Sequence, residues 1–428
     1  MSATMLTPRW RFAWLYAAPH RLAFAAGAST LAVSAAWWAL AMLAQSMGHP
    51  WRFALPPSEA HGLVMVCGFM PLFFTGFLFT AGPRWLGRPP ASASDLAAPV
   101  LAQLSGWTVF LLGAHARDAD LAAVLGGLGV AAAAFGWTQV WWRFVGMLRA
   151  SVVADRTHAR VIAFAGGIGA LSLWAAAAGI AVADHGVVRA ALSAALWLFV
   201  GSTYAAVAHR MIPFFSAAAV PVLDAWRPLW LLWSLVALFA AEGLLALGDA
   251  WAGPWPGSLQ ALQGGIEVVA GLALLALAVR WGVVQTLRIR LLAMLHLGFV
   301  WLGLSFVLAG TSHLLSSTTA GAVSLGLAPL HACTMGFLGS TLLAMATRVS
   351  CGHGGRTLTA DAVLWRLFWL LQAAVVARVG AGILAANGTP GAVPLLAAAA
   401  VAWCAAWATW AWRHGRWYGM PRVDGRPG

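Results

Sequence analysis

The chain has 428 residues, is 61% hydrophobic and only 9% charged, which excludes an ordinary soluble domain, where about a quarter of residues are charged. Its formal net charge is +13, carried entirely by arginine. Those arginines flank apolar runs, so they orient the chain in a bilayer and are not the footprint of a nucleic-acid-binding surface.

Apolar runs bounded by charge, Gly or Pro predict twelve membrane-spanning helices, near 22–44, 61–81, 96–114, 121–142, 161–182, 187–208, 229–248, 259–279, 291–310, 322–346, 362–386 and 391–412. The expected fold is thus an all-α integral membrane bundle in one polytopic domain, with a short N-terminal segment (1–21) and a tail (413–428). The first run is too long for a signal-peptide core and stays as a span. In the second, Gly62 to Ala81 carries no charge and crosses a ~30 Å hydrocarbon layer. His61 stands at one mouth. At the other, Gly82 and Pro83 are expected to break the helix, and Arg84, Trp85 and Arg88 to anchor it.

Alternating the spans puts twenty arginines on the side of the N-terminus and three, Arg52, Arg117 and Arg189, opposite. Both termini are therefore expected in the cytoplasm, in a bacterial inner membrane. The outer connection 45–60 and the inner segment 140–160 mix aromatics with Pro or Arg and are expected at the interface. Cys67, Cys333, Cys351 and Cys404 are scattered and include no C-x-x-C pair, so no disulfide framework or zinc site is implied. No repeat relates the two halves, which weighs against an inverted-repeat transporter.

Ionisable groups inside spans are costly and face protein or a cavity. His61 lies at the outer mouth of the second span, and His331 about 14 Å below the outer end of the tenth at the helical rise. Arg378 lies in the outer half of the eleventh. Two imidazoles at similar depth with an arginine lacking a sequence partner suit a membrane haem; the plainer reading is a pair of hydrogen-bonded packing histidines. His313 closes the ninth span on the same side and, like His115 and His185, reads as a helix-end histidine, although it stays among the candidate cofactor contacts. Glu242 and Glu267 are placed in outer halves, to relay protons, bind a metal or simply reach water. Toward the inner side, His296 and His353 are candidates for copper or a second haem, with His209 a weaker one. The stretch 350–356, SCGHGGR, has the glycines of an anion-binding turn.

HGLVMVCGF (61–69), GFLFTAGPRWLGRPP (76–90), HRMIPFF (209–215), HLGFVWLGL (296–304) and HACTMGFLGSTLLAMATRVSCGHGGR (331–356) resemble, in order, segments of the NnrS family. That family comprises haem- and copper-containing membrane proteins linked to nitric oxide in denitrifying bacteria. The resemblance implies ligand candidacy for His61, His296, His331 and His353, and a structural or anion-binding role for Arg210, Arg348 and Arg356. Leu63 and Val64 replace the family's second histidine and the following glutamate, which implies fewer metals than in relatives. A fainter similarity to the catalytic subunit of haem-copper oxidases and nitric oxide reductases implies a haem-copper-oxidase-like bundle. In it, His61 and His331 clamp a low-spin haem b and Arg378 meets its propionates. The oxidase copper ligands are not matched, so a haem-copper oxygen reductase is not expected.

The resulting expectation is a haem protein of nitric oxide metabolism or nitrosative-stress tolerance. It would act by electron transfer or nitric oxide binding, with the lipid bilayer and a redox partner or nitric oxide as its partners. The alternative is a cofactor-free permease whose path is lined by Glu242, Glu267 and Arg378.

Overall fold

The computed structural model describes residues 9–253 and 255–426, and these contain helices and no strand. Twelve helices are long and apolar enough to cross a membrane: α1 (Pro19–Ser46), α2 (Pro57–Trp85), α3 (Ser94–Ala114), α4 (Ala119–Arg149), α5 (Thr157–Ala181), α6 (His185–Ala219), α7 (Leu229–Trp251), α8 (Gly257–Arg280), α9 (Arg290–Thr318), α10 (Ala328–His353), α11 (Ala362–Ala386) and α12 (Ala392–Tyr418). The expected multi-pass membrane architecture is therefore present.

Three helix ends differ from expectation in ways that matter for the site. The tenth helix starts at Ala328 and not near 322, because Ala320, Gly321 and Gly326 all take positive φ and turn the chain first. His331 is consequently three residues from the helix start, about 5 Å along the axis rather than 14 Å. Helix α2 runs through Gly82 and Pro83 to Trp85. A proline in the last turn forfeits one backbone hydrogen bond, which is too little to stop the helix there. Helix α9 continues to Thr318, so His313 lies inside it and does not close it.

Apart from α7 and α8, consecutive helices pack side by side, and α12 closes the sequence against α1. Helices α2 and α10 are the most enclosed, while α7, α8 and α12 turn most of their surface outward. The outward residues include Trp230, Trp233, Leu262 and Val269, the apolar surface that a bilayer requires. Arg11 N donates to Gly419 O at 2.8 Å and the Arg21 guanidinium to Met420 O at 2.6 Å. The first and last described segments thus meet on one face, here called the terminal face.

Two helix pairs approach backbone to backbone through glycine seams. In α3 and α4, a Cβ on Gly106 would lie 2.5 Å from Gly129 O, and one on Gly129 would lie 2.5 Å from Phe110 N. In α8 and α9, a Cβ on Gly271 would lie 2.7 Å from Gly303 O and one on Gly264 2.8 Å from Gly310 O. Gly264 and Gly271, like Gly303 and Gly310, are seven residues apart and so share one helix face. Small residues give apolar helices close van der Waals contact where the hydrophobic effect between them is weak.

Three helices contain π-helical turns: Val64–Gly68 in α2, Ala195–Gly201 in α6 and Ala332–Gly339 in α10. The first two touch. Tyr204, just beyond the second, donates to Met70 Sδ at 3.4 Å and sits 5.8 Å from the Phe337 ring of the third. Such turns are frequent at functional sites.

Asp361 caps α11 by accepting from Leu364 N at 3.0 Å, and it also bonds Arg413 of α12. The Arg413 guanidinium is the main reason its carboxyl is lowered to about 2. A lowered carboxyl stabilises the fold above its unfolded value and ceases to do so as pH falls through the folded one. Asn at this position keeps the cap and removes the charge. Melting temperatures of the wild type and Asp361→Asn are expected to differ slightly above pH 4 and to converge near pH 2, a small effect because both partners are partly exposed. A gap unchanged from pH 7 to 2 would contradict the assignment.

Candidate functional site at the far end of the bundle

Proline fixes the start of both helices that carry the candidate ligands. Pro57 opens α2 and Pro329 lies in the first turn of α10, where a missing N–H costs nothing. His61 and His331 follow within the next turn, so each lies near the end of its helix opposite the terminal face. The His61 ring stacks on Trp38 of α1 at 4.0 Å, and its Nδ1 is buried with no hydrogen-bond partner. His331 is buried, and its Nδ1 lies 2.9 Å from Leu327 O. A carbonyl only accepts, so Nδ1 carries the proton and Nε2 keeps a free lone pair.

Arg378 approaches from α11. A Cβ at Gly382 would lie 3.0 Å from Ala328 N and 3.3 Å from the Arg378 guanidinium, so the absence of a side chain there lets α11 seat the cation against the first turn of α10. His61 is within electrostatic reach of both His331 and Arg378. Among the described residues Arg378 pairs with no carboxylate. The structure thus gathers the first three predicted residues from three helices.

Glu59 was not singled out in the sequence, where it falls within the outer connection 45–60. It is 5% exposed, accepting from His185 Nδ1 at 2.8 Å and from the Arg189 guanidinium at 3.1 Å. His185 is therefore not a bystander: it ties α6 to α2 two residues before His61. Glu59→Gln is expected to loosen that junction and weaken haem retention about three- to ten-fold, an effect transmitted through His61 position. Transfer of haem to an acceptor apoprotein measures it, and wild-type release kinetics would remove Glu59 from the site.

The fourth predicted residue, His313, goes elsewhere. Its Nδ1 lies 2.7 Å from Glu267, which also accepts from Gln263 at 2.7 Å. His313 and Glu242 line a cavity of about 180 Å³ together with Ser305, Ser312, Leu330 and Cys333. His115 donates Nδ1 to Arg52 O at 2.8 Å and accepts from Trp37 at 2.8 Å, the structural role expected of a helix-end histidine.

The histidines toward the terminal face have separate partners. His296 meets Ser216 at 2.8 Å, His353 lies 4.7 Å from the His20 ring, and His209 is 2.9 Å from His158. His20 and His158 carried no spacing signal in the sequence. No group of three or more His, Cys, Asp or Glu is gathered to hold a metal ion among the described residues.

Comparison with protein families matches residues 14–422 to the family described as NnrS protein. The chain belongs to the NnrS family. Comparison with curated proteins and with solved structures finds no match. At the level of the family, NnrS membership supports a nitric-oxide-related haem protein. Within that family pattern, Leu63 and Val64 are buried apolar core at 2% and 0% exposure, so these positions supply packing and not ligands. The three NnrS-like arginines lie over aromatic rings: Arg210 over Trp85 at 5.0 Å, Arg348 over Phe215 at 3.8 Å and Arg356 over Trp417 at 4.1 Å, contacts that hold cations at an apolar boundary. The glycine turn after α10 is filled by the chain itself, since a Cβ on Gly355 would lie 2.5 Å from the Asp424 carboxyl carbon.

Proposed function

We propose that this NnrS-family protein holds a b-type haem between His61 and His331, with Arg378 at the propionates, and serves nitric oxide metabolism or nitrosative-stress tolerance. The observation that carries the reading is His331 Nδ1 on Leu327 O with Nε2 left free, His61 within electrostatic reach, and Arg378 without a carboxylate partner among the described residues. This donor set fits haem: the carbonyl bond strengthens and orients the imidazole, and a lone guanidinium suits the charge and planar geometry of a carboxylate. Bound there, haem supplies a one-electron couple. Trp38 shields His61, and Arg378 offsets negative charge in a low-dielectric setting. Two imidazole ligands leave no open iron position, which favours electron transfer over nitric oxide binding. The arginine asymmetry supports cytoplasmic termini, which puts this site near the periplasmic surface of a bacterial inner membrane. The donors toward the terminal face are too scattered among the described residues to fit copper.

The test is an optical spectrum of protein purified from cells supplied with haem. A Soret band that moves on reduction is expected. A colourless preparation would instead favour the cofactor-free permease, for which the specific observation is the Glu242-lined cavity. Neither Arg378 nor Glu267 lines that cavity, so the permease path would rest on Glu242 and His313, with Glu267 tied to it through His313.

A further inference from the structure

On the terminal face, a groove of about 410 Å³ runs along α12, lined by Arg356 from beyond α10 and by Thr409, Trp412, Arg413, Arg416 and Trp417. Thr409, Trp412, Arg413 and Arg416 recur at three- and four-residue intervals and so form one stripe. Thr409 lies one turn further into the apolar part of the helix than Arg413, so the groove leads from the apolar span to its arginine-rich end.

The groove is unbalanced in charge. Arg413 is bonded to Asp361, whereas Arg356 and Arg416 have no carboxylate partner among the described residues. Their guanidinium carbons lie 4.1 Å from the Trp417 ring and 5.7 Å from the Trp412 ring. Trp412 is 72% exposed, so the apolar wall opens sideways, where the bilayer lies, and not toward the bundle. A soluble anion would use only the arginine end of such a groove. A zwitterionic headgroup would bring its own cation against two more.

We infer that this groove binds an anionic phospholipid, with the phosphate between Arg356 and Arg416 and acyl chain along Trp412 and Thr409. Basic pockets between helices at a membrane surface hold anionic headgroups through charge-assisted hydrogen bonds. The Trp rings and arginine stems provide the amphipathic rim. The lipid would brace α12 beside the point where the first and last described segments meet. This site is independent of the haem site and of its test.

The experiment is native mass spectrometry of the full-length protein in detergent, with phosphatidylglycerol and phosphatidylcholine of identical acyl chains. The wild type is expected to retain phosphatidylglycerol about ten-fold better or more. The double variant Arg356→Ala/Arg416→Ala is expected to lose that preference, while Arg160→Ala, an exposed arginine of α5, keeps it. Millimolar inorganic phosphate should leave the bound lipid in place. Equal retention of the two lipids by the wild type, a preference surviving in the double variant, or displacement by phosphate would each overturn the proposal. Should the double variant fail to fold, Trp412→Ala serves in its place, because so exposed a side chain is dispensable for folding. It is expected to lower phosphatidylglycerol retention several-fold, and unchanged retention would be equally decisive against the site.

Discussion

Replacing His331 by alanine is expected to strip the protein of haem, lowering the haem-to-protein ratio after purification by about ten-fold or more. The substitution removes the proposed haem ligand, an imidazole whose direction is set by the backbone, since Leu327 O fixes its Nδ1 proton. It also leaves Arg378 near a site that no longer holds the carboxylates it would meet. His49 lies exposed in the connection after α1, so His49→Ala should retain haem at the wild-type level. His185→Ala should fall between the two, because His185 bonds Glu59 just ahead of His61. Equal haem in His331→Ala and His49→Ala would end the ligand assignment without touching the family membership.

A second large effect is expected from Gly271→Leu in the α8–α9 seam. A Cβ there meets Gly303 O and Val307 N, both at 2.7 Å; these are backbone atoms that have no rotamer by which to yield. The helices must separate, which costs about 3 kcal/mol or more and pulls Glu267 away from His313, its partner across the same pair. Gly265 supplies the control on the same helix, since nothing lies within 4 Å of a Cβ placed there. Denaturation in detergent should show Gly271→Leu strongly destabilised and Gly265→Leu close to wild type. Similar stabilities would mean that α8 and α9 do not pack through this seam.

The number of spans and the shared face of the first and last described segments were legible because each span must be uniformly apolar, and because arginine asymmetry keeps count of the crossings. His61, His331 and Arg378 were legible for a related reason: an ionisable group in an apolar run stands out whatever surrounds it. Side-chain partnership left no such trace. Glu59 and His185 are 126 residues apart, and nothing local to either declares the other. The start of α10 was misplaced because 322–327 is as apolar as a helix, while the positive φ values that end the turn belong to Ala320, Gly321 and Gly326. Alanine gives no warning of a left-handed backbone. The glycine seams were written in heptad spacing on both α8 and α9, but only the facing helix turns that spacing into a contact.

The widened turns at Val64–Gly68 and Ala332–Gly339 lie immediately inward of His61 and His331. Each accommodates a residue beyond what a regular helix would hold, and one residue is worth about 100° of rotation. The compass bearing of each imidazole is therefore decoupled from the packing of the deeper part of its helix. Deleting the extra residue from either turn would let it close as a regular helix with both flanks kept on their faces, whereas straightening the turn without a deletion would swing one ring roughly a quarter circle. The chain thus carries two widened turns that set, independently of the deeper packing, which way each of the two proposed ligands points.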